Sequence, residues 1–170
     1  MRAAPTEARV ATAVVGGVAH LYQGDLDLGR HVVDQLAHAD LGPGVCVEEF
    51  SYGAVAVAQR LEELNPDLLV LVGAKARGRE PGTVERREIT ALPRSIEETQ
   101  AAVVDAVTGY IDIDLVLEVA QALRALPRKT VTIEVEPART EPSEQLSPQA
   151  EAALAQAVEL IRSEVRNATK

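Results

Sequence analysis

The feature that most constrains the fold is an unbroken apolar run, DLLVLVG, at residues 67–73. A strand that is apolar at every position has to be covered on both faces, which is the usual situation in a parallel sheet flanked by helices. Asn65-Pro66 and Gly73 bound the run with residues that interrupt regular structure. The run therefore predicts a strand at the centre of a parallel sheet.

Strand and helix patterns alternate along the rest of the chain. Apolar or alternating segments predict strands at 9–17, 45–50, 83–89 and 129–136, and helical spacing predicts helices from about residue 28 and at 54–64, 95–107, 112–126 and 147–166. We expect 83–89 to be an edge strand, because its charged side chains cannot all be buried, and 129–136 to have one face in water. The order predicts one three-layer α/β/α domain, 1–170, with a mostly parallel central sheet and flexible ends at 1–8 and 167–170.

Composition excludes several classes of function. The 170 residues include 26 acidic and 17 basic side chains, a formal net charge of −9, and no basic cluster. We therefore expect no nucleic-acid partner and no membrane association, since no apolar run approaches the roughly 18 to 20 residues of a span. The single cysteine, Cys46, cannot form an internal disulfide. With no export-signal pattern at the start, the expected location is the cytoplasm.

Common catalytic motifs do not fit the sequence. The first-loop glycines at 16, 17 and 24 do not have the spacing G-x-G-x-x-G, and no phosphate-binding loop follows. No G-x-S-x-G surrounds Ser51. No catalytic residue is assigned.

Acidic residues concentrate where strands are expected to end. Ligands of open parallel sheets bind at the carboxyl ends of the strands. The loops predicted there contain His20, Asp25, Asp27, Glu48, Glu49, Asp112 and Asp114. Carboxylates also occur near helix starts because the helix dipole stabilises them. A shared site and ordinary helix capping both remain open.

Four segments taken together resemble the [NiFe]-hydrogenase maturation endopeptidases. GVAHLYQGDLDLG at 17–29 has the spacing of that family's first loop, G-x-G-N-x-L-x-x-D-[ED]-G-x-G. LVLVGA at 69–74 and PGT at 81–83 are similar to its third strand and P-G-T signature, and IEVEP at 133–137 with LSPQA at 146–150 to its last strand and helix.

The resemblance implies a function, a partner and a metal. Members of the family remove the C-terminal peptide of a [NiFe]-hydrogenase large subunit after nickel insertion, so the implied partner is such a subunit or a related metalloenzyme. The implied cofactor is a divalent metal, with nickel supplied by the substrate. Positions matching the family's loops make Gly17, His20, Ser51 and Gly53 the implied substrate-binding residues.

The family's metal-ligand positions are substituted in this chain. The first-loop ligand falls on Leu26, between Asp25 and Asp27, the second-strand aspartate on Glu48 and the histidine on Asp112. The implied ligand set is therefore Asp25, Glu48 and Asp112, with Asp27 as the alternative to Asp25 and His20 as a further candidate. Such a carboxylate-rich site would prefer Mg, Mn or Ca. The aspartate usual after the third strand is Gly73.

Three functional hypotheses follow. The first is a divergent endopeptidase of hydrogenase maturation. The second is a docking or assembly factor that binds the partner subunit without cleaving it, because Leu26 cannot ligate a metal and the histidine is missing. The third is an unrelated small-molecule binder, since a fold alone does not determine function.

Overall fold

The computed structural model describes residues 12–90, 95–107 and 110–168. The strands in this part of the chain are β1 (Ala13–Val18), β2 (Val45–Phe50), β3 (Leu68–Ala74), β4 (Val84–Ile89) and β5 (Lys129–Val135). The helices are α1 (Leu28–Leu36), α2 (Ala54–Leu64), α3 (Ile96–Val107), α4 (Ile113–Ala122) and α5 (Pro148–Ala168), and a short 3-10 helix, Gly24–Asp27, precedes α1.

The strands form one sheet in the order β2-β1-β3-β5-β4. β1 pairs in parallel with β2 and β3, β3 pairs in parallel with β5, and β4 runs antiparallel to β5. The apolar strand β3 is the middle strand and is buried throughout. The predicted mostly parallel α/β sheet, its centre and its edge strand are therefore confirmed.

A hydrophobic cluster lies on each face of the sheet. One contains α1 and α5 side chains against alternate positions of β1, β3 and β5. The other contains α2 and α4 side chains with Phe50 and Ala106 against the remaining positions of β1 and β3. The sheet with helices packed on both faces forms the three predicted layers.

β1 and α1 touch through two glycines. A Cβ atom added at Gly17 would lie 2.2 Å from the Gly29 carbonyl oxygen, and one added at Gly29 would lie 2.2 Å from the Val18 carbonyl oxygen. Only residues without a side chain allow this approach. The contact positions the start of α1 at the carboxyl end of β1.

The prediction that one face of β5 is exposed to solvent is wrong. Thr132 and Glu134 are fully buried, and Thr130 is 2% exposed. Glu134 is covered because the guanidinium groups of Arg77 and Arg87 hydrogen-bond to it. Alternation in β5 therefore marks a buried polar face with internal partners.

The helix ends differ modestly from the sequence predictions. The Ser95 capping box is confirmed, since Glu98 N donates to Ser95 Oγ (3.1 Å) and Ser95 N donates to Glu98 Oε2 (3.2 Å). α3 is only partly a core helix, because Ile96 and Val104 are 78% and 66% exposed. α4 ends at Ala122 instead of 126.

The predictions for the two ends of the chain can be compared with the structure only in part. α5 continues to Ala168, two residues past the predicted end, so 167 and 168 are helical. The predicted flexible segment 1–8, and the first residues of the predicted strand 9–17, lie outside the described residues. Within the described ranges, no helix has the length and apolar character that crossing a membrane requires.

Candidate functional site

A pocket of about 240 Å³ opens at the carboxyl ends of β1 and β3, which we call the strand-end pocket. The two strands are neighbours at the point where the chain order of the sheet reverses, the usual ligand position in open α/β sheets. The pocket is lined by Val18, His20, Leu26, Ala74, Lys75, Ala76, Tyr110, Ile111, Asp112 and Thr140. Half of these ten residues are aliphatic, and the other half carry polar or charged side chains.

An ion pair between Lys75 and Asp112 forms the polar part of this pocket. Lys75 follows β3, and its Nζ lies 2.6 Å from Asp112 Oδ2. Asp112 is the N-cap of α4, where its Oδ1 accepts from Leu115 N at 2.8 Å, and Tyr110 OH donates to its Oδ2 at 3.2 Å. Burial is the largest single effect and works against the lysine charge, but the hydrogen bond to Asp112 and the negative charges of Asp112 and Asp114 together outweigh it and raise the pKa of Lys75. The pocket thus contains a charged ammonium group.

Asp25 fixes the first loop to the segment before α5. Its fully buried carboxylate accepts hydrogen bonds from Ala138 N (2.8 Å), Arg139 N (3.0 Å), Ser147 N (2.7 Å) and Ser147 Oγ (2.7 Å). Burial alone would raise the pKa of Asp25, but these donors outweigh it and lower the pKa below its ordinary value. The carboxylate is therefore satisfied by the protein itself.

The neighbouring loop residues divide between the core and the pocket. Asp27 is fully buried, and its Oδ2 accepts from Arg30 Nε at 2.9 Å. Leu26, between the two aspartates, lines the strand-end pocket. The first loop therefore presents an apolar side chain to the pocket.

Glu48 is paired on the neighbouring edge strand β2. Arg60 of α2 donates to its Oε1 through two nitrogens, at 2.6 and 3.0 Å. Cys46 Sγ lies 3.5 Å from the same oxygen, and burial together with the Glu48 charge raises the pKa of the thiol. Glu48 thus contributes to a surface pair between β2 and α2.

The predicted metal ligands Asp25, Glu48 and Asp112 are not brought together. In residues 12–90, 95–107 and 110–168, no three His, Cys, Asp or Glu side chains are grouped so that they could hold a metal ion. Only Asp112 of the three lines the pocket. The physical reason is that each of the three carboxylates is already paired with other groups of the protein. Together they therefore do not provide a set of ligands that fits a metal ion.

Gly73 leaves no room for the aspartate usual at that position of the family. A Cβ atom there would lie 2.8 Å from the Val18 carbonyl oxygen and 3.3 Å from Ile113 Cδ1. An acidic side chain at this strand end would force β1 or α4 to shift. The close packing of β3 against β1 and α4 therefore favours glycine at this position.

The predicted substrate-binding residues are also separated. His20 lines the pocket, and its ring lies 6.1 Å from the Tyr110 ring, edge to face. Gly17 is buried beneath α1. Ser51 hydrogen-bonds to Glu49 at 2.8 Å, and Gly53 is the N-cap of α2; neither lines the strand-end pocket.

Sequence reasoning missed Lys75, Tyr110 and Thr140 as pocket residues. The rule that ligands bind where strands end could have identified Lys75, which comes immediately after the central strand. No local signal marks Thr140, which reaches the pocket from the loop after β5.

An ionic network centred on the buried Glu134 lies beside the pocket. Arg77 donates to Glu134 Oε1 at 2.8 Å and to Asp114 Oδ1 at 2.7 Å, and Arg87 donates to Glu134 Oε2 at 2.6 Å. Burial would raise the pKa of Asp114, but the hydrogen bond and charge of Arg77, together with the charges of Lys75 and Arg87, outweigh it and lower the pKa. The network holds the loop after β3, which carries Lys75, against β5 and α4.

Several solved structures share this fold. Hydrogenase maturating endopeptidase HybD from Escherichia coli superimposes with a TM-score of 0.68 at 23% identity, covering 91% of this chain and 92% of that one. The hydrogenase 2 maturation peptidase of Thaumarchaeota archaeon SCGC_AB-539-E09 gives 0.62 at 22%, covering 90% and 97%. The [NiFe] hydrogenase maturation protease HycI of Thermococcus kodakarensis gives 0.64 at 20%, covering 92% and 93%.

Sequence comparison alone does not identify a relative. No protein-family model and no curated protein matches the sequence. The structural likeness extends over nearly the whole of both chains, and at 20–23% identity it shows a shared fold. The chain therefore has the fold of the [NiFe]-hydrogenase maturation proteases, as its sequence resemblance implies.

Proposed function

We propose that this protein is a protease-like [NiFe]-hydrogenase maturation factor that binds the C-terminal segment of a hydrogenase large subunit. The observation that carries the proposal is the strand-end pocket, on a fold shared over about nine tenths of the chain with hydrogenase maturation peptidases. The pocket lies where open α/β sheets bind their ligands.

The chemistry of the pocket suits a polypeptide. Apolar side chains such as Leu26 and Ile111 can take an apolar side chain of the ligand, while Lys75 and Tyr110 offer hydrogen-bond donors for its main chain. A volume of about 240 Å³ is small, below the usual range for drug-sized ligands. This size favours one or two residues of a peptide.

The tyrosines support a protein partner. All three tyrosines of the chain, Tyr22, Tyr52 and Tyr110, are 40–54% exposed. Tyr22 and Tyr52 follow β1 and β2 along the chain, and Tyr110 lines the pocket, so they belong to the same end of the sheet. Tyrosine is enriched in the energetically important positions of protein interfaces.

Cleavage of the bound segment is the first candidate activity. The three solved structures compared above are named as an endopeptidase, a peptidase and a protease of hydrogenase maturation. The test is to incubate the purified protein with a nickel-loaded, unprocessed large subunit and to measure the intact mass of that subunit. A peptidase shortens its C-terminus, whereas the same incubation without the protein leaves the mass unchanged.

Docking without cleavage is the second candidate, and a specific observation favours it. Leu26 lines the pocket at the position of a family ligand, and the neighbouring Asp25 is fully buried and saturated with donors. In the same incubation, a stable complex on gel filtration with an unchanged mass would identify this activity. If the incubation gives no mass change and no complex, the proposed function is overturned.

A further inference from the structure

The strand-end pocket has a cation of its own, the ammonium group of Lys75. Leu26 and Asp112, the positions that match two family ligands, both line this pocket together with Lys75. Lys75 Nζ lies 2.6 Å from Asp112 Oδ2 and 3.8 Å from Asp114 Oδ2. The ammonium therefore neutralises the carboxylate that a metal would use.

The residues present do not fit a metal ion at this place. Leu26 has no donor atom, and a divalent cation bound to Asp112 would lie close to the ammonium of Lys75 and be repelled by it. His20 is then the remaining side chain of metal-ligand type in the pocket. A single imidazole with one already neutralised carboxylate falls short of the usual coordination number.

Lys75 retains capacity to bind something else. An ammonium has three donor protons, and Asp112 accepts from it at 2.6 Å. Asp114 Oδ2 at 3.8 Å is beyond hydrogen-bond distance, and a quarter of the Lys75 side chain remains exposed. A ligand oxygen can therefore accept a hydrogen bond from Lys75 without disturbing the ion pair.

We infer that Lys75 makes recognition of the partner's C-terminal segment independent of nickel. In this arrangement Lys75 donates to a main-chain carbonyl oxygen of the segment, and Leu26 and Ile111 contact a neighbouring apolar side chain. A neutral carbonyl is favoured over a carboxylate because Asp112 and Asp114 place negative charge on the same ammonium. The inference rests on the proposed function and holds whether or not the segment is cleaved.

The experiment compares the affinity of the protein for the unprocessed large subunit with and without nickel, by calorimetry. We expect the two dissociation constants to agree within about twofold. Lys75→Met should weaken both by about tenfold or more, since a hydrogen bond from a charged donor is lost. Lys129→Met is the matched control, because Lys129 is exposed at the opposite end of the sheet, and it should leave both constants unchanged.

Two results would overturn the inference while leaving the proposed function in place. One is nickel-loaded subunit binding more than about tenfold tighter than the nickel-free form. The other is unchanged binding by Lys75→Met together with a normal thermal unfolding curve. If Lys75→Met fails to fold, Lys75→Arg takes its place, and it should keep an equal affinity for both forms of the subunit. If neither the nickel-loaded nor the nickel-free subunit binds, the proposed function itself is overturned.

Discussion

At the scale of single residues, acidic side chains at the ends of the strands have structural partners instead of a shared ion. Asp25 accepts from backbone and side-chain donors of the loop before α5, Asp27 from Arg30, and Glu48 from Arg60. A buried carboxylate is stable only where donors surround it, and four donors surround Asp25. The two aspartates of the first loop therefore have structural partners within the protein.

Asp25→Asn tests the structural role of this residue. The amide group would face donors that need an acceptor, so we expect the free energy of unfolding to fall by about 3 kcal/mol. Asp34→Asn is the control, because its side chain is 68% exposed and it should change stability by less than about 0.5 kcal/mol. Urea denaturation measures both. Equal losses for the two variants would contradict the role assigned to Asp25.

The acid stability of the protein should also depend on Asp25. Its pKa in the folded state lies below the ordinary value of 3.8, so the unfolded chain binds the proton first as the pH falls. The resulting stabilisation is fully present above the unfolded pKa and is lost as the pH falls through the folded pKa. We expect the unfolding free energy of the wild type to drop more steeply below about pH 4 than that of Asp25→Asn. Parallel pH profiles would be inconsistent with this linkage.

At the scale of elements, the contact between β1 and α1 depends on glycine. In Gly17→Ala the added methyl group would meet the backbone oxygen of Gly29 at 2.2 Å, so strand and helix would have to separate. We expect a loss of about 2 kcal/mol in urea denaturation. Gly53→Ala is the matched control, since no atom lies within 4 Å of its added Cβ, and a similar loss there would argue against the packing explanation.

The edge strand β4 is held by charge as well as by its backbone pairing with β5. Glu134 is fully buried between Arg77 and Arg87, so Glu134→Gln would remove the buried anion that both guanidinium groups share and leave them only the partly exposed Asp114. We expect a loss of about 3 kcal/mol and faster amide hydrogen exchange in β4. Glu88→Gln, at a side chain that is 68% exposed, should alter neither quantity. Unchanged amide exchange in the Glu134 variant would show that this network does not stabilise β4.

The spacing of apolar residues predicted the strands and helices well, because secondary structure is reflected in the local sequence pattern. The bounds of β2 and α2 agree with the predictions to the residue, and the apolar run at 67–73 located the central strand. The polar face of β5 was misjudged because alternation reports polarity and not exposure. Whether Glu134 meets water or Arg77 depends on a residue 57 positions away in the chain.

At the scale of the whole molecule, the site was predicted less well than the fold. His20 and Asp112, two of the residues predicted for the site, line the strand-end pocket, and their part in binding stays a prediction. The partners of the acidic residues were not predicted, because Lys75 and Asp112 are 37 positions apart and Arg60 and Glu48 are 12 apart. Such pairings are fixed by tertiary packing, which no local pattern contains.

The central claim is that a protein with the hydrogenase maturation protease fold binds the C-terminal segment of a large subunit at the strand-end pocket. The most direct measurement compares its affinity for the unprocessed subunit and for the same subunit lacking that segment. We expect a complex with the unprocessed form and a loss of at least about tenfold in affinity without the segment. Equal affinity for the two forms would contradict the claim.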